Sequence, residues 1–282
     1  MQGTVDGFSY GLVTPLVAYL MACLGGALGL RCTTRSLIVT RSWRPVWIAL
    51  GAGAIGSGIW TMHFVAMMGF TVEEAPIHYD TAMTYAGLGV AILMVGVGIF
   101  IVGYRGAKGT ALFTGGTVTG LGIASMHYLG MAGMQLDGEF RYSIPTVAAS
   151  VVIAMAAATA ALWAACQVKG FLWSVGASLL MGLAVSGMHY TGMAALSVHL
   201  HGTAVPATGE SPATLLVPML IGPLAFLALA GVVVVFDPLM VRGRVAAAPV
   251  EEKPGIPAGE VVHQPGHRPL RARSGVRTPQ NR

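Results

Sequence analysis

Seven long apolar stretches alternate with shorter polar segments along the chain. Each has about 20 mostly apolar residues, the length that an α-helix needs to cross the hydrocarbon core of a bilayer. They cover residues 12–30, 46–69, 83–104, 111–134, 145–167, 171–195 and 214–236. The pattern predicts an all-α membrane protein with seven transmembrane helices.

Composition and charge support this interpretation. Hydrophobic residues make up 55% of the chain and charged residues 10%, whereas about a quarter of the residues in a typical soluble protein are charged. No Lys, Arg, Asp or Glu falls within the seven apolar stretches. We therefore expect the lipid bilayer to surround the chain, with no nucleic-acid partner and no carboxylate relay for protons.

The distribution of basic residues predicts the orientation. Fifteen of the sixteen Lys and Arg residues follow an odd-numbered stretch, and Arg141 is the exception. Basic residues collect on the cytoplasmic side, so we expect a multi-pass protein of the plasma membrane with its N-terminus outside and its C-terminus in the cytoplasm. No basic residue precedes the first stretch and arginines follow it, which indicates a retained helix.

A short motif recurs three times at nearly constant spacing. Residues 59–69, 123–133 and 185–195 share the pattern M-H-[FY]-x-[GA]-M, and their histidines are 64 and 62 residues apart. This spacing predicts three internal two-helix repeats plus one further helix. Each motif falls near the outer end of the second helix of its repeat, so the three histidines should share one depth. A glycine seven residues before each histidine lies on the same helix face, which we expect to point inward.

The histidines and methionines of the motifs have the chemistry of metal ligands. Each histidine shares a helix face with the methionine four residues later: His63 with Met67, His127 with Met131, and His189 with Met193. The methionines directly before the histidines are about 100° round the helix and are directed sideways: Met62, Met126 and Met188.

Neutral imidazole and thioether donors favour copper over hard cations. Zinc more often recruits a thiolate or a carboxylate beside histidine, and the apolar stretches contain no carboxylate. We therefore predict a buried copper site. Three histidines and three methionines exceed the usual coordination number of one copper ion, so either a subset of them binds or two ions share the site.

An aromatic residue directly follows each histidine: Phe64, Tyr128 and Tyr190. We expect these rings to close the site from the outside or, where they are tyrosines, to donate a hydrogen bond to a ligand. Anchoring of the rings at the membrane interface is the alternative.

The triple motif resembles that of the MHYT domain family. The third copy, residues 188–191, spells the four-letter name in full, whereas the others read MHFV and MHYL. The resemblance covers about residues 8–236. It implies an integral membrane sensor whose Met, His and Tyr residues bind a metal, with copper expected, and through it detect a diatomic gas such as oxygen, carbon monoxide or nitric oxide.

Residues 237–282 differ from the membrane domain in composition. They are rich in Pro, Gly and Arg with little apolar periodicity, which predicts a disordered basic cytoplasmic tail. Many members of the resembled family carry domains for cyclic-dinucleotide synthesis or hydrolysis at this position, but this segment contains no catalytic motif. We therefore expect a protein that is not an enzyme and that signals through a cytoplasmic partner.

Two other functions are compatible with the motifs. Copper transport or delivery is suggested by His78, His199 and His201 in the outer loops, although the inner half of the chain offers no second cluster of donors. A haem-binding redox protein is the other alternative, since His and Met both serve as axial ligands. A haem has two axial positions, however, and would leave the third histidine unexplained.

Overall fold

The computed structural model of the protein describes residues 2–167, 171–200 and 212–237. Most of this chain forms seven α-helices. They are α1 Val13–Ile38, α2 Arg44–Met67, α3 Thr81–Arg105, α4 Gly109–Ala132, α5 Ile144–Gln167, α6 Phe171–Ala194 and α7 Pro212–Val235. His201 and all but the first residue of the predicted tail lie outside the described residues.

Each predicted apolar stretch corresponds to one helix of the structure. The largest difference is in α1, which continues to Ile38 and places Arg35 in its last turn, where a cation interacts favourably with the helix dipole. Among the described helices, six are long and apolar enough to cross a membrane. The exception is α4, because six of its residues are glycine and four are threonine. The protein is therefore a multi-pass membrane protein.

Six of the helices pack in a closed ring. Each of α1 to α5 contacts the next helix along the chain, and α6 returns to contact α1. The even-numbered helices also meet one another, since α2 contacts both α4 and α6. The seventh helix is different: α7 packs beside α2 and α1, outside this ring.

The glycines seven residues before the histidines lie at close contacts between helices. Gly56 lies against the backbone of Ile92 in α3, with 2.9 Å between a β-carbon built on it and the Ile92 nitrogen. Gly120 lies against the backbone of Met155 in α5, and Gly182 against Cys23 in α1. The small residues therefore allow each even helix to approach an odd helix closely.

Three short antiparallel sheets, which the all-α prediction did not include, join the loops. Strand β1 (Val5–Asp6) pairs with β2 (Thr71–Val72), β3 (His78–Tyr79) pairs with β4 (Met134–Gln135), and β5 (Gly138–Tyr142) pairs with β6 (Leu196–Leu200). A bridge between Gln2 and His199 connects the N-terminal segment to β6. We call these six strands the strand cap.

The strand cap forms at the helix ends that carry the motifs. Its strands all come from the N-terminal segment and from the loops that follow α2, α4 and α6. The bridge from Gln2 to His199 and the three strand pairs connect these four segments in a closed circle. The backbone therefore encloses the ends of the motif helices.

Candidate metal centre

The three motif histidines meet in the centre of the bundle. Each lies in the last two turns of its helix, and none is more than 1% exposed. The Nδ1 atoms form a triangle: 3.1 Å from His63 to His189, 3.1 Å from His63 to His127, and 3.3 Å from His127 to His189. Their meeting at one depth agrees with the spacing of the motifs.

Hydrogen bonds alone cannot satisfy this triangle. Each Nδ1 atom either carries a proton and donates, or carries a lone pair and accepts. Three atoms in a closed triangle cannot alternate between two states, so at least one pair must bring two protons or two lone pairs face to face. A cation at the centre removes the conflict because all three nitrogens then offer lone pairs to it.

The size of the triangle fits a metal ion. The point equidistant from the three nitrogens is about 1.8 Å from each of them, and zinc–imidazole bonds are about 2.0–2.1 Å long. An ion close to the plane of the nitrogens therefore reaches all three. Within the described part of the chain, this is the one group of three or more His, Cys, Asp or Glu side chains with that geometry.

Small residues of the motifs hold the rings in place. A β-carbon at Gly130 would lie 2.6 Å from Nε2 of His63, and one at Gly192 would collide with Nε2 of His127. Each of these glycines is the third residue after a motif histidine, and each backs the imidazole of another repeat. This contact explains the glycine at that position of the second and third motifs. The Nε2 atoms of His63 and His127 have no hydrogen-bond partner among the described residues.

Two layers of aromatic rings cover the histidines on the side of the strand cap, and the second layer includes Tyr79 and Tyr142 of the cap itself. Each motif aromatic packs against its own histidine, with centroid separations of 4.6 Å for Phe64, 4.8 Å for Tyr128 and 4.9 Å for Tyr190. Each also packs against a second aromatic from a loop: Tyr79 at 6.3 Å, Tyr142 at 6.2 Å and Phe8 at 5.9 Å, respectively. Whether the motif rings close the site or anchor the helices at the membrane interface stays a prediction.

The hydroxyl of Tyr128 does not bond to a ligand of the centre. It donates to Ser150 Oγ at 2.6 Å, and Ser150 donates in turn to the carbonyl of Val147. Burial raises the pKa of the Tyr79 phenol in the strand cap, and its hydroxyl has no partner within the described chain. The loop aromatics were not among the predicted site residues, because no motif marks them.

The predicted methionines lie on the motif helices beside the histidines. Among the described residues, no contact between a methionine sulfur and an imidazole of the centre is seen. Five of the six predicted side chains are buried, and the sixth, Met193, is half-buried. Met126 packs over Gly87 of α3, which agrees with its predicted sideways direction. Met131 lines a mostly apolar cavity of about 600 Å³ with Tyr128 and Phe140. A ligand role for the methionines stays a prediction.

Two of the outer-loop histidines, His78 and His199, lie in the strand cap. His78 pairs with Gln135, and His199 pairs with Glu139. Neither belongs to the triangle of imidazoles. A role for them in handing metal to the centre stays a prediction.

Comparison with known proteins places the motifs in a family. The model of the MHYT repeat, described as a bacterial signalling protein N-terminal repeat, matches residues 56–115 and 120–177. The two matches contain the first and second motifs. The third motif follows them in the chain.

Three bacterial signalling proteins are similar to the chain. The bifunctional diguanylate cyclase/cyclic di-GMP phosphodiesterase MucR of Pseudomonas aeruginosa is 34% identical over 236 residues, covering 81% of this chain and 34% of that protein. The cyclic di-GMP phosphodiesterase NbdA of the same species is 36% identical, covering 69% of this chain and 26% of that protein. The signaling protein YkoW of Bacillus subtilis is 31% identical, with coverages of 68% and 24%.

The chain spans about a quarter to a third of the length of these relatives. No solved structure matches it. The family model matches two repeats of the chain, and the similarity to MucR extends beyond them. Both findings agree with the resemblance of the three motifs to the MHYT family. The chain belongs to the MHYT family.

Proposed function

We propose that this protein is a membrane sensor that binds copper through the Nδ1 atoms of His63, His127 and His189. The observation that carries the proposal is the buried triangle of nitrogens, which hydrogen bonds cannot satisfy and a cation can. A sensory role is supported by the relatives, which are named as signalling proteins or as enzymes of cyclic di-GMP.

Copper suits this environment better than a hard cation. The three imidazoles are neutral donors, and thioethers one helical turn later favour a soft ion. Met67 and Met131 are fully buried, and they are the first candidates for an additional ligand. The ion would supply a centre that takes up a diatomic gas such as oxygen, carbon monoxide or nitric oxide, or that changes its oxidation state.

The chain's own residues hold and shield the three nitrogens. Gly130 and Gly192 back the rings of His63 and His127, and the two aromatic layers and the strand cap keep bulk water away from them. The centre lies near the helix ends that we place on the outer side of the plasma membrane. The seven helices, including α4, would then cross the bilayer, with the C-terminus in the cytoplasm. The protein would signal through a cytoplasmic partner and would not itself be an enzyme.

Each alternative function meets a specific difficulty. A transporter needs further donors along its path, yet the described residues contain no second group of three or more His, Cys, Asp or Glu side chains arranged to bind a metal. A haem held between two of these imidazoles through Nδ1 would need nitrogens about 4 Å apart, twice a metal–imidazole bond, whereas the Nδ1 atoms are separated by at most 3.3 Å. Both observations favour a single small ion.

Metal analysis of the purified full chain tests the proposal. We expect about one copper ion per chain after anaerobic titration with copper(I), and a large loss in each of His63→Ala, His127→Ala and His189→Ala. The matched control is His78→Ala, which removes an exposed imidazole from the strand cap and should leave the copper content unchanged. A wild-type chain that binds no copper, or equal binding by all four variants, would contradict the proposal.

A further inference from the structure

The three motifs differ at the position three residues before the histidine. The first motif has Trp60 there, whereas the second has Ala124 and the third has Ser186. The Trp60 side chain is fully buried and packs against Phe64 at 4.7 Å between ring centroids. Phe64 in turn contacts the imidazole of His63. One histidine of the centre is therefore connected to a bulky ring that the other two lack.

Trp60 connects the centre to α3. Its indole Nε1 donates to the carbonyl of Thr84 at 2.9 Å, and its ring stacks on that of Tyr85 with an interplanar angle of 11°. A displacement of the His63 ring therefore reaches Tyr85 through three ring contacts, from His63 to Phe64, from Phe64 to Trp60 and from Trp60 to Tyr85. Such stacked contacts prefer particular offset geometries, so the Tyr85 ring should follow the Trp60 ring.

Tyr85 reaches α7 at a break in its backbone hydrogen bonding. The Tyr85 hydroxyl donates to the carbonyl of Met219 at 3.4 Å. In an uninterrupted helix this carbonyl would accept from the amide of residue 223, but residue 223 is proline and has no N–H. The tyrosine hydroxyl therefore replaces a missing helical donor. Because 3.4 Å is longer than the usual distance of about 2.8 Å, a small shift of Tyr85 makes or breaks the bond.

The C-terminal half of α7 is held independently of this bond. Leu227, Ala230 and Val234 share a small apolar cluster with side chains of α1 and α2. Directly after the helix, Asp237 forms an ion pair with Arg35 at 2.8 Å. The C-terminal end is thus held by α1 and α2, while Leu216, Met219 and Leu220 of the N-terminal half pack in the apolar core of the bundle. Pro223 lies between these two halves.

We infer that the Tyr85–Met219 hydrogen bond transmits the state of the histidine centre to α7. The inference rests on the proposed copper site. With copper bound, the three rings are held together, Phe64, Trp60 and Tyr85 keep the packing seen in the structure, and the Tyr85 hydroxyl satisfies the Met219 carbonyl. When copper leaves, repulsion within the triangle displaces His63, the bond is lost, and α7 opens at Pro223.

Hydrogen–deuterium exchange of the full chain in detergent, with and without copper(I), tests the inference. In the wild type, copper should slow exchange in peptides from α7 about fivefold, the effect of one neutral hydrogen bond on a local opening equilibrium. Tyr85→Phe keeps the ring but removes the hydroxyl, so it should bind copper as the wild type does and lose the response of α7. Pro223→Ala supplies an amide to the Met219 carbonyl, so α7 should exchange slowly in both states.

The matched control is Tyr19→Phe. The Tyr19 hydroxyl also donates to a helix carbonyl, that of Leu179, at 3.2 Å, but residue 183 is leucine and no amide is missing there. This variant should respond to copper as the wild type does. An α7 that ignores copper in the wild type, or that still responds in Tyr85→Phe or Pro223→Ala, would overturn the inference. Loss of copper from Tyr85→Phe would also overturn it, because Tyr85 would then be part of the centre itself.

Copper content, measured on the same samples, separates the two proposals. A wild-type chain without copper removes the proposed function and, with it, the inference. A wild-type chain that binds copper without any change in α7 removes the inference alone.

Discussion

The histidine centre and α7 are built on opposite principles. Three helices make equivalent contributions to the centre, each with a buried imidazole next to an aromatic ring. The seventh helix has no counterpart in the ring of six, and its contacts, among them the Arg35–Asp237 pair, the Tyr85 hydroxyl and an apolar cluster with α1 and α2, each occur once. Three equivalent helices are well suited to bind one central ion. A signal that leaves the bundle in one direction requires a helix without repeated counterparts, such as α7.

The largest effect should come from removing the ion pair at the end of α7. Arg35→Ala leaves the Asp237 carboxylate, whose side chain is 5% exposed, without its guanidinium. Breaking a buried pair on one side costs about 3–5 kcal/mol; because Arg35 is partly exposed, we expect the lower end of that range. Thermal unfolding in detergent measures the loss, and the double variant Arg35→Ala/Asp237→Ala should recover part of it.

The same variant tests whether the two regions are separable. Copper content should be unchanged in Arg35→Ala, because the pair lies beyond the end of α7 and none of its atoms belongs to the centre. A loss of copper equal to that of a histidine variant would show that the centre depends on α7, and the comparison would fail.

A smaller effect, confined to the centre, is expected when a backing glycine is enlarged. Gly192→Ala places a methyl group against the imidazole of His127, and overpacking of this kind costs about 1–3 kcal/mol. The ring must shift, so copper binding should weaken at least severalfold in a titration. The control is Gly187→Ala on the same helix, where a β-carbon meets nothing within 4 Å. Equal copper binding by both variants would rule out the backing role.

A still smaller effect is expected from Tyr128→Phe. The variant removes the hydroxyl that donates to Ser150, and a neutral hydrogen bond contributes about 1 kcal/mol. Stability should fall by about this amount, while copper content should stay the same because the hydroxyl points to Ser150. Copper loss in Tyr128→Phe would instead make Tyr128 a ligand.

The smallest effect concerns the strand cap and depends on pH. Hydrogen bonds from Thr4 hold the pKa of the Glu74 carboxyl below its usual value. A lowered pKa means that the stabilisation is present above the ordinary glutamate pKa and is lost as the pH falls through the lower, folded-state value. Local opening of β1, measured by the hydrogen–deuterium exchange of its backbone amides, should therefore increase as the pH falls through the folded-state pKa of Glu74. Glu74→Gln cannot titrate and should show no such dependence; an identical pH profile in this variant would contradict the assignment.

The helices and the meeting of the histidines could be predicted from the sequence for simple physical reasons. A membrane-spanning helix needs a long apolar run, and the runs are separated by polar loops. The separations of 64 and 62 residues between the histidines correspond to one hairpin each, so equal depth follows from equal spacing.

Other features could not be predicted because they depend on tertiary contacts. Strands such as Val5–Asp6 contain two residues, too few for a periodic pattern. The choice of Nδ1 over Nε2 depends on the rotation of the rings between three helices. The position of α7 could not be read from its sequence because apolar residues occur all around the helix. Trp60 was one available signal of asymmetry, since the first motif differs from the other two at this position as well as at Phe64 and Ala66.

The closed circle of strands has a mechanical consequence for the bundle. At the end with the histidines, the four segments are joined by backbone hydrogen bonds, including Gly3 to Val198 at 2.9 Å and Glu73 to Thr4 at 3.1 Å. Spreading the helices there requires breaking several of these bonds together. At the opposite end, side-chain contacts such as the Arg35–Asp237 pair join neighbouring helices. The helix ends that carry the histidines are therefore joined by backbone hydrogen bonds as one unit, and a displacement of one motif helix there should be shared by the other two.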